Sequence, residues 1–250
     1  MVRERDQALV VDNVTKRFGG VVALQRVVLE VAPGERRAIV GPNGAGKTTL
    51  LNVLSGLIRH DEGRIYGKGV DVSGLSAARR SRLGLGRTFQ VPNVFAGLSV
   101  EANLWLAAEA GRRWRGRGNG GVVLRGTATG SVAELLQMCG LEDVRHNVTA
   151  FLPYGKVRRL EVALALAARP SILLLDEPTA GLSEAESEEL LELIRKLGRS
   201  VTVVVVEHNM EFALKLADRV SVLHQGRVLW EGKPSEITNA SEVVQVYFGE

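Results

Sequence analysis

The chain has 250 residues, of which 45% are hydrophobic and 24% charged, and its 32 basic and 28 acidic side chains leave a net charge of +4. A chain of this length and apolar content can bury one full core, either as one large domain or as a domain with a subdomain. The single cysteine, Cys139, excludes an internal disulfide, and its amphipathic helical surroundings predict a buried structural thiol. Because the sequence shows no signal-peptide pattern and no apolar run of roughly eighteen residues, we expect a soluble chain in a reducing compartment.

Strand patterns come first in chain order. Apolar runs at residues 9–11 and 27–31 predict two strands that flank a turn at Phe18-Gly19-Gly20. A further short strand is predicted at residues 63–67, where it ends at a turn.

A glycine-rich loop lies between these strands. Residues 41–49, Gly41-Pro42-Asn43-Gly44-Ala45-Gly46-Lys47-Thr48-Thr49, fit the pattern G-x-x-x-x-G-K-[ST] between an apolar run and a helical pattern. Glycines let backbone amides close around phosphate oxygens, and the helix N-terminus adds the positive end of its dipole. We expect Lys47 to reach the β- and γ-phosphates and the Thr48 hydroxyl to ligate Mg²⁺. The loop predicts nucleoside triphosphate binding; the alternative is a glycine turn that precedes a helix and holds no ligand.

The middle of the chain differs from its flanks. From about Ser76 to Gly140 the pattern is helical with interruptions, and residues 111–121 are rich in arginine and glycine. One interpretation of that segment is an electrostatic contact with nucleic acid or lipid headgroups, because arginines and an aromatic residue are interleaved there. We favour a solvated loop between two helices, because dense glycine opposes regular structure and one short basic loop offers few phosphate contacts.

Helices and strands alternate in the second half of the chain. The predicted elements are a helix at 156–169 that Pro170 ends, a strand at 171–176, a helix at 184–197, and strands at 201–206 and 220–223. The strands at 171–176 and 201–206 are uninterrupted apolar runs, which indicates burial on both faces. This alternation predicts a parallel α/β core, with the helical middle of the chain inserted as a subdomain. The sequence shows no internal repeat, which indicates one nucleotide site per chain.

Polar residues stand at the ends of the buried strands. Asp176 and Glu177 follow one strand directly, and His208 follows the next. An acid at this edge can reach Mg²⁺ beside the loop, and the next acid can orient or deprotonate the attacking water. Acids after strands also cap helices, and an isolated histidine is more often structural, so it is the loop that favours the catalytic interpretation. Gln90, at the boundary between the core and the helical stretch, is a weak indication by itself.

In this order, the motifs resemble those of the ATP-binding subunits of ABC transporters over residues 9–249. The resemblance implies that residues 41–49 are the Walker A motif, residues 172–176 Walker B, Glu177 the catalytic glutamate and His208 the switch histidine. It also implies ATP and Mg²⁺ as cofactors. The implied magnesium ligands are Thr48, Gln90 and Asp176, and the implied nucleotide contacts are Phe18, Gly41, Asn43, Gly44, Ala45, Gly46, Lys47, Thr48, Thr49, Gln90, Tyr154 and Gly155.

Two of these residues have further implied roles. Phe18 corresponds to the aromatic residue that stacks on the adenine ring, although an aromatic packed in a turn is the alternative interpretation. Gln90 corresponds to the Q-loop glutamine that joins Mg²⁺ to the contact with the membrane subunit.

The family's signature sequence, L-S-G-G-Q, is altered in this chain to Leu-Pro-Tyr-Gly-Lys at residues 152–156. By resemblance this segment contacts the ATP of an opposing subunit, and Pro153 replaces the serine whose hydroxyl reaches the γ-phosphate. Gly155 and the following helix start remain, so backbone amides and the helix dipole can still face that phosphate. In the D-loop at residues 180–183, Ser183 stands where aspartate is commoner, which keeps a hydrogen-bonding group and loses the charge.

The resemblance also implies the fold and its divisions. We expect an α/β fold, with a P-loop NTPase core around a mainly parallel sheet, an N-terminal antiparallel β subdomain and an inserted α-helical subdomain. Residues 1–250 are expected to form a single ABC-type ATPase domain. Residues 1–88 and 168–250 would supply the catalytic core with the antiparallel β subdomain, and residues 89–167 the helical subdomain.

Four segments are similar to the ATPases of branched-chain amino acid importers: Tyr154-Gly155, residues 86–90, residues 206–212 and the tail at 246–249. Urea and short-chain amide importers share much of this sequence, and residues 203–212 and 222–226 are somewhat closer to the urea branch. We favour branched-chain amino acid uptake and keep a urea or short-chain amide importer as the alternative.

An importer ATPase of this kind implies partners. We expect a second ATPase subunit, identical or different, two membrane permease subunits and an external solute-binding protein. Two ATPase subunits would sandwich two ATP molecules, and their closure would drive the permeases. The chain would bind peripherally at the cytoplasmic face of the cell membrane, and nucleic acid is not an expected partner.

Two other classes of function account for less of the sequence. An ABC-type ATPase that acts on nucleic acid or ribosomes typically pairs two ATPase domains or inserts a long coiled coil, and the sequence shows neither. A P-loop kinase or GTPase would leave Gln90, residues 152–156 and His208 unexplained.

Overall fold

The computed structural model describes residues 6–90, 93–115 and 131–248 of the chain. Its strands are β1 (Leu9–Phe18), β2 (Val21–Val31), β3 (Arg36–Val40), β4 (Glu62–Gly67), β5 (Val70–Asp71), β6 (Leu85–Arg87), β7 (Ile172–Asp176), β8 (Thr202–Val206), β9 (Arg219–His224) and β10 (Arg227–Gly232). Its α-helices are α1 (Lys47–Ser55), α2 (Ala77–Arg82), α3 (Val100–Arg115), α4 (Val132–Met138), α5 (Tyr154–Ala167), α6 (Glu184–Lys196), α7 (Met210–Leu216) and α8 (Ser241–Phe248). Much of the arginine- and glycine-rich segment at 111–121 lies outside the described residues, and so does Gly249 of the tail.

A six-stranded sheet forms the centre of the molecule, in the order β10-β9-β3-β8-β7-β6. β3 pairs in parallel with β8 and β9, β7 pairs in parallel with β8 and β6, and β10 runs antiparallel to β9. The predicted α/β core with a mainly parallel sheet is confirmed. Because parallel strands end at the same edge of a sheet, the turns that follow β3, β7 and β8 lie side by side.

The strand β7 is buried on both faces of this sheet. Leu173 and Leu175 point into one hydrophobic cluster, and Ile172 and Leu174 point into the other, as the pleat of a strand requires. The continuous apolar run in the sequence predicts this double burial, which is typical of a parallel sheet between two layers. The sheet is thereby held rigidly, and the polar residues that follow its strands have fixed positions.

One layer combines α1 with a second sheet, which is antiparallel and has the order β2-β1-β4-β5. β1 and β2 form a hairpin that turns at Gly19 and Gly20, with Phe18 opposite Val21. Both strands extend further toward this turn than the apolar runs predict, because residues beside it, including Val22, are exposed to solvent. The antiparallel sheet of the expected fold is confirmed.

The carboxyl end of α1 is held by a buried arginine. The Arg80 guanidinium is 1% exposed and donates to the carbonyl oxygens of Val53 and Leu54 at 2.7 and 2.8 Å. Burial lowers the pKa of Arg80 to about 10, so the side chain remains charged at neutral pH. A cation at the negative end of a helix dipole is stabilising, and this contact anchors the helix that follows the glycine-rich loop.

The opposite layer contains α3 to α7, and α3, α4 and α5 are inserted between β6 and β7. Cys139 follows α4 and is buried in this layer, where burial raises the pKa of its thiol to about 12. A thiol with that pKa stays protonated, so the prediction of a buried structural cysteine is confirmed. Across the described ranges, no helix combines the length and the apolar character needed to cross a bilayer.

Two predicted boundaries differ from the structure. α5 begins at Tyr154, two residues before the predicted start at 156, because Pro153 with a φ of −56° occupies the N-cap position. Between Ser76 and Gly140 the sequence predicts helix with interruptions, and one interruption is the strand β6, which pairs with β7 at the sheet edge. Three residues are too few to show an alternating pattern, so the sequence alone does not identify this strand.

Candidate active site

The glycine-rich loop joins β3 to α1. Gly46 is the N-cap residue of α1 and has a φ of 103°, a left-handed conformation that strains residues with a side chain. A Cβ atom at this position would also lie 2.6 Å from the carbonyl oxygen of Ala23 on β2. Glycine is required here on both grounds, and it lets the loop pack closely on the antiparallel sheet.

Lys47, the first residue of α1, bends back over this loop. Its Nζ donates to the carbonyl oxygens of Gly41 at 2.7 Å and Pro42 at 3.1 Å, and the residue is 6% exposed. Burial lowers the pKa of Lys47, and the nearby charges of Glu177 and Glu207 oppose that shift. The ammonium group is thus held among loop carbonyls, where a phosphate would offer it stronger, charged acceptors.

An open pocket of about 460 Å³ lies beside the loop. Its lining combines the loop with parts of β2, the turn between β9 and β10, and one acid. The lining residues are Val21, Val22, Ala23, Asn43, Gly44, Ala45, Gly46, Lys47, Thr48, Thr49, Glu177, Gln225 and Gly226. The pocket gathers the predicted phosphate-binding residues 43–49 together with Glu177, and Gly41 lies next to it as an acceptor for Lys47. The contribution of Gln225 and Gly226 was not predicted, because a surface turn after β9 has no distinctive sequence pattern.

Asp176, the last residue of β7, is buried, and within the described ranges only one of its two carboxylate oxygens has a hydrogen-bond partner. Its Oδ2 accepts a hydrogen bond from Arg87 Nη2 at 2.9 Å, while its Oδ1 has no partner among the residues that the structure describes. Burial raises the pKa of Asp176, and the Arg87 guanidinium opposes that shift. A buried carboxylate oxygen without a donor has a vacant coordination position, which suits a cation or a water bound to one.

Arg87 is a residue of this site that the sequence does not assign. It lies on β6, and besides Asp176 it reaches α1, where its Nη1 donates to Ser55 Oγ at 2.6 Å. Burial lowers the pKa of Arg87, and the carboxylate of Asp176 opposes that shift. Recognition of β6 as a strand beside β7 is the signal that would have predicted this ion pair.

Glu177 follows β7 with a φ of 43°, a left-handed conformation that costs free energy in a residue with a side chain. Its backbone N–H donates to the carbonyl oxygen of Val206 at 2.9 Å, which fixes this turn to the end of β8. Gln90 Nε2 donates to Glu177 Oε2 at 3.2 Å, and His208 Nδ1 lies 3.9 Å from the same oxygen. The structure therefore brings Gln90 and His208, two of the sequence-predicted residues, to the carboxylate of a third, Glu177.

A second buried acid, Glu207, joins the turns that follow β7 and β8. Its Oε1 accepts hydrogen bonds from Thr179 N at 3.0 Å and Thr179 Oγ1 at 2.7 Å, and its Oε2 accepts from His208 N at 3.1 Å and Asn209 N at 3.2 Å. Burial raises the pKa of Glu207, and the Thr179 hydrogen bonds oppose the shift. No local pattern predicts this contact, although an acid directly after a buried strand is a signal for a role at this edge of the sheet.

Phe18 lies at the end of β1 and is 48% exposed. The Lys16 ammonium lies 5.2 Å from the centroid of its ring. Phe18 does not line the pocket described above, but its neighbours across the hairpin turn, Val21 and Val22, do. An exposed aromatic residue thus lies next to Val21, one of the residues that line the pocket.

The segment at residues 152–156 lies apart from this pocket, at the start of α5. Tyr154 is 43% exposed, and a Cβ atom on Gly181 would lie 3.0 Å from its ring, so the ring rests on the turn before α6. The Arg158 guanidinium lies 5.4 Å from the ring centroid on α5 itself. Tyr154 and Gly155 line no part of the pocket at the glycine-rich loop, so the structure does not bring them to their own chain's phosphate site.

Ser183 of the D-loop is the N-cap residue of α6. Its Oγ accepts from Glu186 N at 3.3 Å, and its N–H and Oγ donate to Glu186 Oε2 at 2.9 and 2.8 Å, a capping box. These bonds, with a further one from the backbone of Gly155, lower the pKa of Glu186. A Cβ atom on Gly155 would lie 2.4 Å from Glu186 Oε1, so this glycine allows the segment to pack on the cap.

Comparison with known proteins identifies relatives along nearly the whole chain. A family model described as ABC transporter matches residues 24–180. The high-affinity branched-chain amino acid transport ATP-binding protein LivG of Escherichia coli strain K12 is 36% identical over 250 residues, which cover 97% of this chain and 98% of LivG.

Two solved structures share the fold. The ADP conformation of MJ1267, an ATP-binding cassette of an ABC transporter, superposes with a TM-score of 0.83 at 27% identity and covers 98% of this chain and 99% of that one. The dimeric post-hydrolysis state of the ATP-binding cassette MJ0796, bound to ADP and Pi, gives a TM-score of 0.74 at 29% identity and covers 90% of this chain and 98% of that one.

Proposed function

Because this chain belongs to the ABC transporter family, as an ATP-binding subunit that hydrolyses ATP, we propose that it powers the uptake of branched-chain amino acids across the cell membrane. The observation that carries this proposal is the match to LivG, which runs over 97% of this chain and 98% of that protein.

We propose that the pocket beside residues 41–49 holds the phosphates of ATP. The loop residues 43–46 and the first residues of α1, 47–49, line this pocket, and Lys47 supplies a positive charge from within the loop. On binding, Lys47 would exchange its carbonyl acceptors for phosphate oxygens. Phe18, exposed at the hairpin beside the pocket, would stack on the adenine ring.

Mg²⁺ would be held by Thr48, Gln90 and Asp176. The buried Asp176 Oδ1, unpartnered within the described part of the chain, supports this assignment. When bound, the ion would supply positive charge that offsets the negative charge developing on the phosphate oxygens. Arg87 keeps the other oxygen of Asp176 in place at 2.9 Å, so this carboxylate is oriented before any ligand arrives.

Glu177 would orient and deprotonate the attacking water. Its backbone is fixed to β8 through Val206, and its carboxylate takes a hydrogen bond from Gln90 at 3.2 Å. His208, whose Nδ1 lies 3.9 Å from Glu177 Oε2, would hydrogen-bond the γ-phosphate. Glu207 joins the turns that follow β7 and β8 through its bonds to Thr179 N and His208 N. These bonds fix the spacing between Glu177 and His208.

We further propose that Tyr154 and Gly155 complete the site of a second ATPase subunit. Their distance from the pocket of their own chain supports this, and the related cassette MJ0796 forms a dimer in its post-hydrolysis state. In this proposal residues 89–167, which include α3 to α5, form the helical subdomain that carries the segment. Residues 1–88 and 168–250 form the catalytic core with the antiparallel sheet.

The complete importer would contain two ATPase subunits, two membrane permeases and an external solute-binding protein. The chain would bind the permeases from the cytoplasmic side, where its ATP is supplied. The kinship with LivG, whose name describes a transport ATP-binding protein, supports this arrangement.

Uptake measurements in cells that lack this chain test the proposed function. We expect uptake of labelled leucine to be lost and restored by the wild-type chain, but not by Glu177→Gln. Glu192→Gln is the matched control, because Glu192 is an exposed carboxylate on α6 that does not line the pocket, and it should restore uptake fully. Labelled urea and acetamide are measured in parallel; loss of their uptake with leucine uptake intact would overturn the amino acid assignment.

A further inference from the structure

Two charged side chains on α5 are almost completely buried. Arg158 is 2% exposed and Glu161 is 5% exposed, and Arg158 Nη1 lies 3.1 Å from Glu161 Oε2, one helical turn away. Burial raises the pKa of Glu161, and the hydrogen bond from Phe89 and the charge of Arg158 oppose that shift. An ion pair in such a position costs desolvation free energy that a pair of apolar side chains would avoid.

Both side chains are bonded to the same short piece of backbone. Glu161 Oε1 accepts a hydrogen bond from Phe89 N at 2.5 Å, Arg158 Nη1 donates to Phe89 O at 2.9 Å, and Arg158 Nη2 donates to Gln90 O at 2.6 Å. The backbone on either side of Gln90's α-carbon is therefore fixed by one ion pair. The side chain of Gln90 in turn donates to Glu177 at 3.2 Å.

The same helix begins at Tyr154, and the Arg158 guanidinium lies 5.4 Å from the centroid of the Tyr154 ring. One guanidinium thus contacts both the residue beside Glu177 and the segment proposed to face the second subunit. Arg158 Nε stays buried without a hydrogen-bond partner among residues 6–90, 93–115 and 131–248. The arginine therefore uses two of its nitrogens to hold the backbone at Phe89 and Gln90, and its third nitrogen is left without an acceptor within these ranges.

We propose that Arg158 and Glu161 are positioning residues for ATP hydrolysis: they place Gln90 against Glu177 and couple that placement to the segment at Tyr154. This inference rests on the proposed function, because it assigns Gln90 and Glu177 to the reaction. Neither Arg158 nor Glu161 touches the reacting atoms.

The double substitution Arg158→Met/Glu161→Leu tests this inference while limiting the loss of stability. Replacing both partners by apolar side chains of similar volume leaves no uncompensated buried charge. We expect kcat of the assembled transporter ATPase to fall about 10- to 100-fold, with the Kd of the purified chain for ATP unchanged within about twofold, since small displacements of a positioned group cost that much rate. Gln90→Ala should lower kcat by a similar factor.

The triple variant that adds Gln90→Ala to this pair is the decisive measurement. If Arg158 and Glu161 act through Gln90, the triple variant should be no slower than the slower of the two parents, because the effects of coupled residues do not add. If the fall in kcat of the triple variant equals the product of the falls in Arg158→Met/Glu161→Leu and in Gln90→Ala, the pair does not act through Gln90 and the inference is overturned. Arg37→Lys is the control: Arg37 is also buried and paired to acids, Glu35 and Glu231, but at the other end of the sheet, and it should leave kcat unchanged.

Hydrogen exchange provides a readout that needs no activity. In Arg158→Met/Glu161→Leu the amide of Phe89 loses its acceptor, so we expect faster exchange in a peptide over residues 86–90, with that of β8 unchanged. Unchanged exchange at Phe89 would overturn the inference even if kcat fell. The proposed function fails separately, if the wild-type chain hydrolyses no ATP. In that case faster exchange at Phe89 in the double variant would still show that Glu161 holds this amide.

Discussion

The two parts of the molecule that are proposed to meet around ATP are built in opposite ways. The edge of the central sheet is buried and bonded within the chain: Lys47 is 6% exposed and Asp176 is 2% exposed. The start of α5 lies at the surface, where Tyr154 is 43% exposed and Phe151 is 85% exposed. The first region is fixed by contacts within its own chain, whereas the second is an exposed surface that the proposed partner subunit would cover.

Because of this contrast, substitutions in the two regions should change different measured quantities. Substitutions at the sheet edge should change binding or chemistry in the isolated chain, because the groups they remove belong to one folded core. Substitutions at the start of α5 should leave ATP binding by the isolated chain intact and change only the assembled ATPase. A variant that violates this division would show that the two regions are not separate halves of a site.

The largest effect is expected for Glu177→Gln at the sheet edge. Removal of a general base lowers kcat by about 10²- to 10⁴-fold, while the amide keeps the size of the carboxylate and accepts the hydrogen bond of Gln90. ATP should still bind, with a Kd within about twofold of wild type. Steady-state hydrolysis and calorimetric ATP binding measure the two quantities, and normal hydrolysis by this variant would remove Glu177 from the reaction.

Lys47→Ala should have the next largest effect, and it should act on binding. The substitution removes a buried cation that would bond charged oxygens, so we expect the affinity of the isolated chain for ATP to fall about 10- to 100-fold. Lys215→Ala is a matched control, since Lys215 is an exposed lysine on α7 that pairs with Glu188 and Glu211. Calorimetry on both variants shows whether the loss comes from this position or from lowered net charge.

Gly155→Ala should act on the second region alone. The new Cβ would lie 2.4 Å from Glu186 Oε1 and would displace that carboxylate from the cap of α6. We expect about a tenfold fall in kcat of the assembled ATPase, since a misplaced segment no longer faces the partner's phosphate, and an unchanged Kd for ATP in the isolated chain.

Glu186→Ala added to Gly155→Ala separates the two causes of that fall. It removes the atom that clashes and the carboxylate half of the capping box, while Ser183 Oγ can still accept from the backbone N–H of residue 186. Recovery of kcat in this double variant would identify the displaced carboxylate as the cause, whereas no recovery would mean that the Cβ atom itself blocks the contact between subunits.

The same two regions differ in how far sequence predicts them. The loop at 41–49, the strand that ends at Asp176 and the strand that precedes His208 follow local patterns, and the structure places these segments at one edge because parallel strands end together. The bonds of Arg87 and Glu207 join residues far apart in the chain, 89 positions in the case of Arg87 and Asp176. Local periodicity carries no information about such pairs, and β6, which places Arg87, is too short to show a period.

In the second region the sequence predicts which residues are unusual, and the structure shows what supports them. Pro153 and Ser183 depart from the family's signature and D-loop patterns, and each is a helix N-cap residue in the structure. Ser183 completes a capping box with Glu186, a pattern that was legible as S-x-x-E in the sequence. The contact of Glu186 with Gly155 depends on how α5 and α6 pack, which no local pattern encodes.

Pro153→Ser should have the smallest effect, and it should be a gain. Pro153 occupies the N-cap position of α5 with no side-chain bond to the helix, and a serine there could accept one from a backbone N–H, which is worth about 0.5–1 kcal/mol. Its hydroxyl would also add a donor for the partner's phosphate. We expect thermal unfolding to shift upward and kcat of the assembled ATPase to rise by about two- to fivefold, from a single added hydrogen bond. An upward shift in unfolding with no change in kcat would mean that this position faces solvent in the assembly, and that backbone amides alone make the contact between subunits.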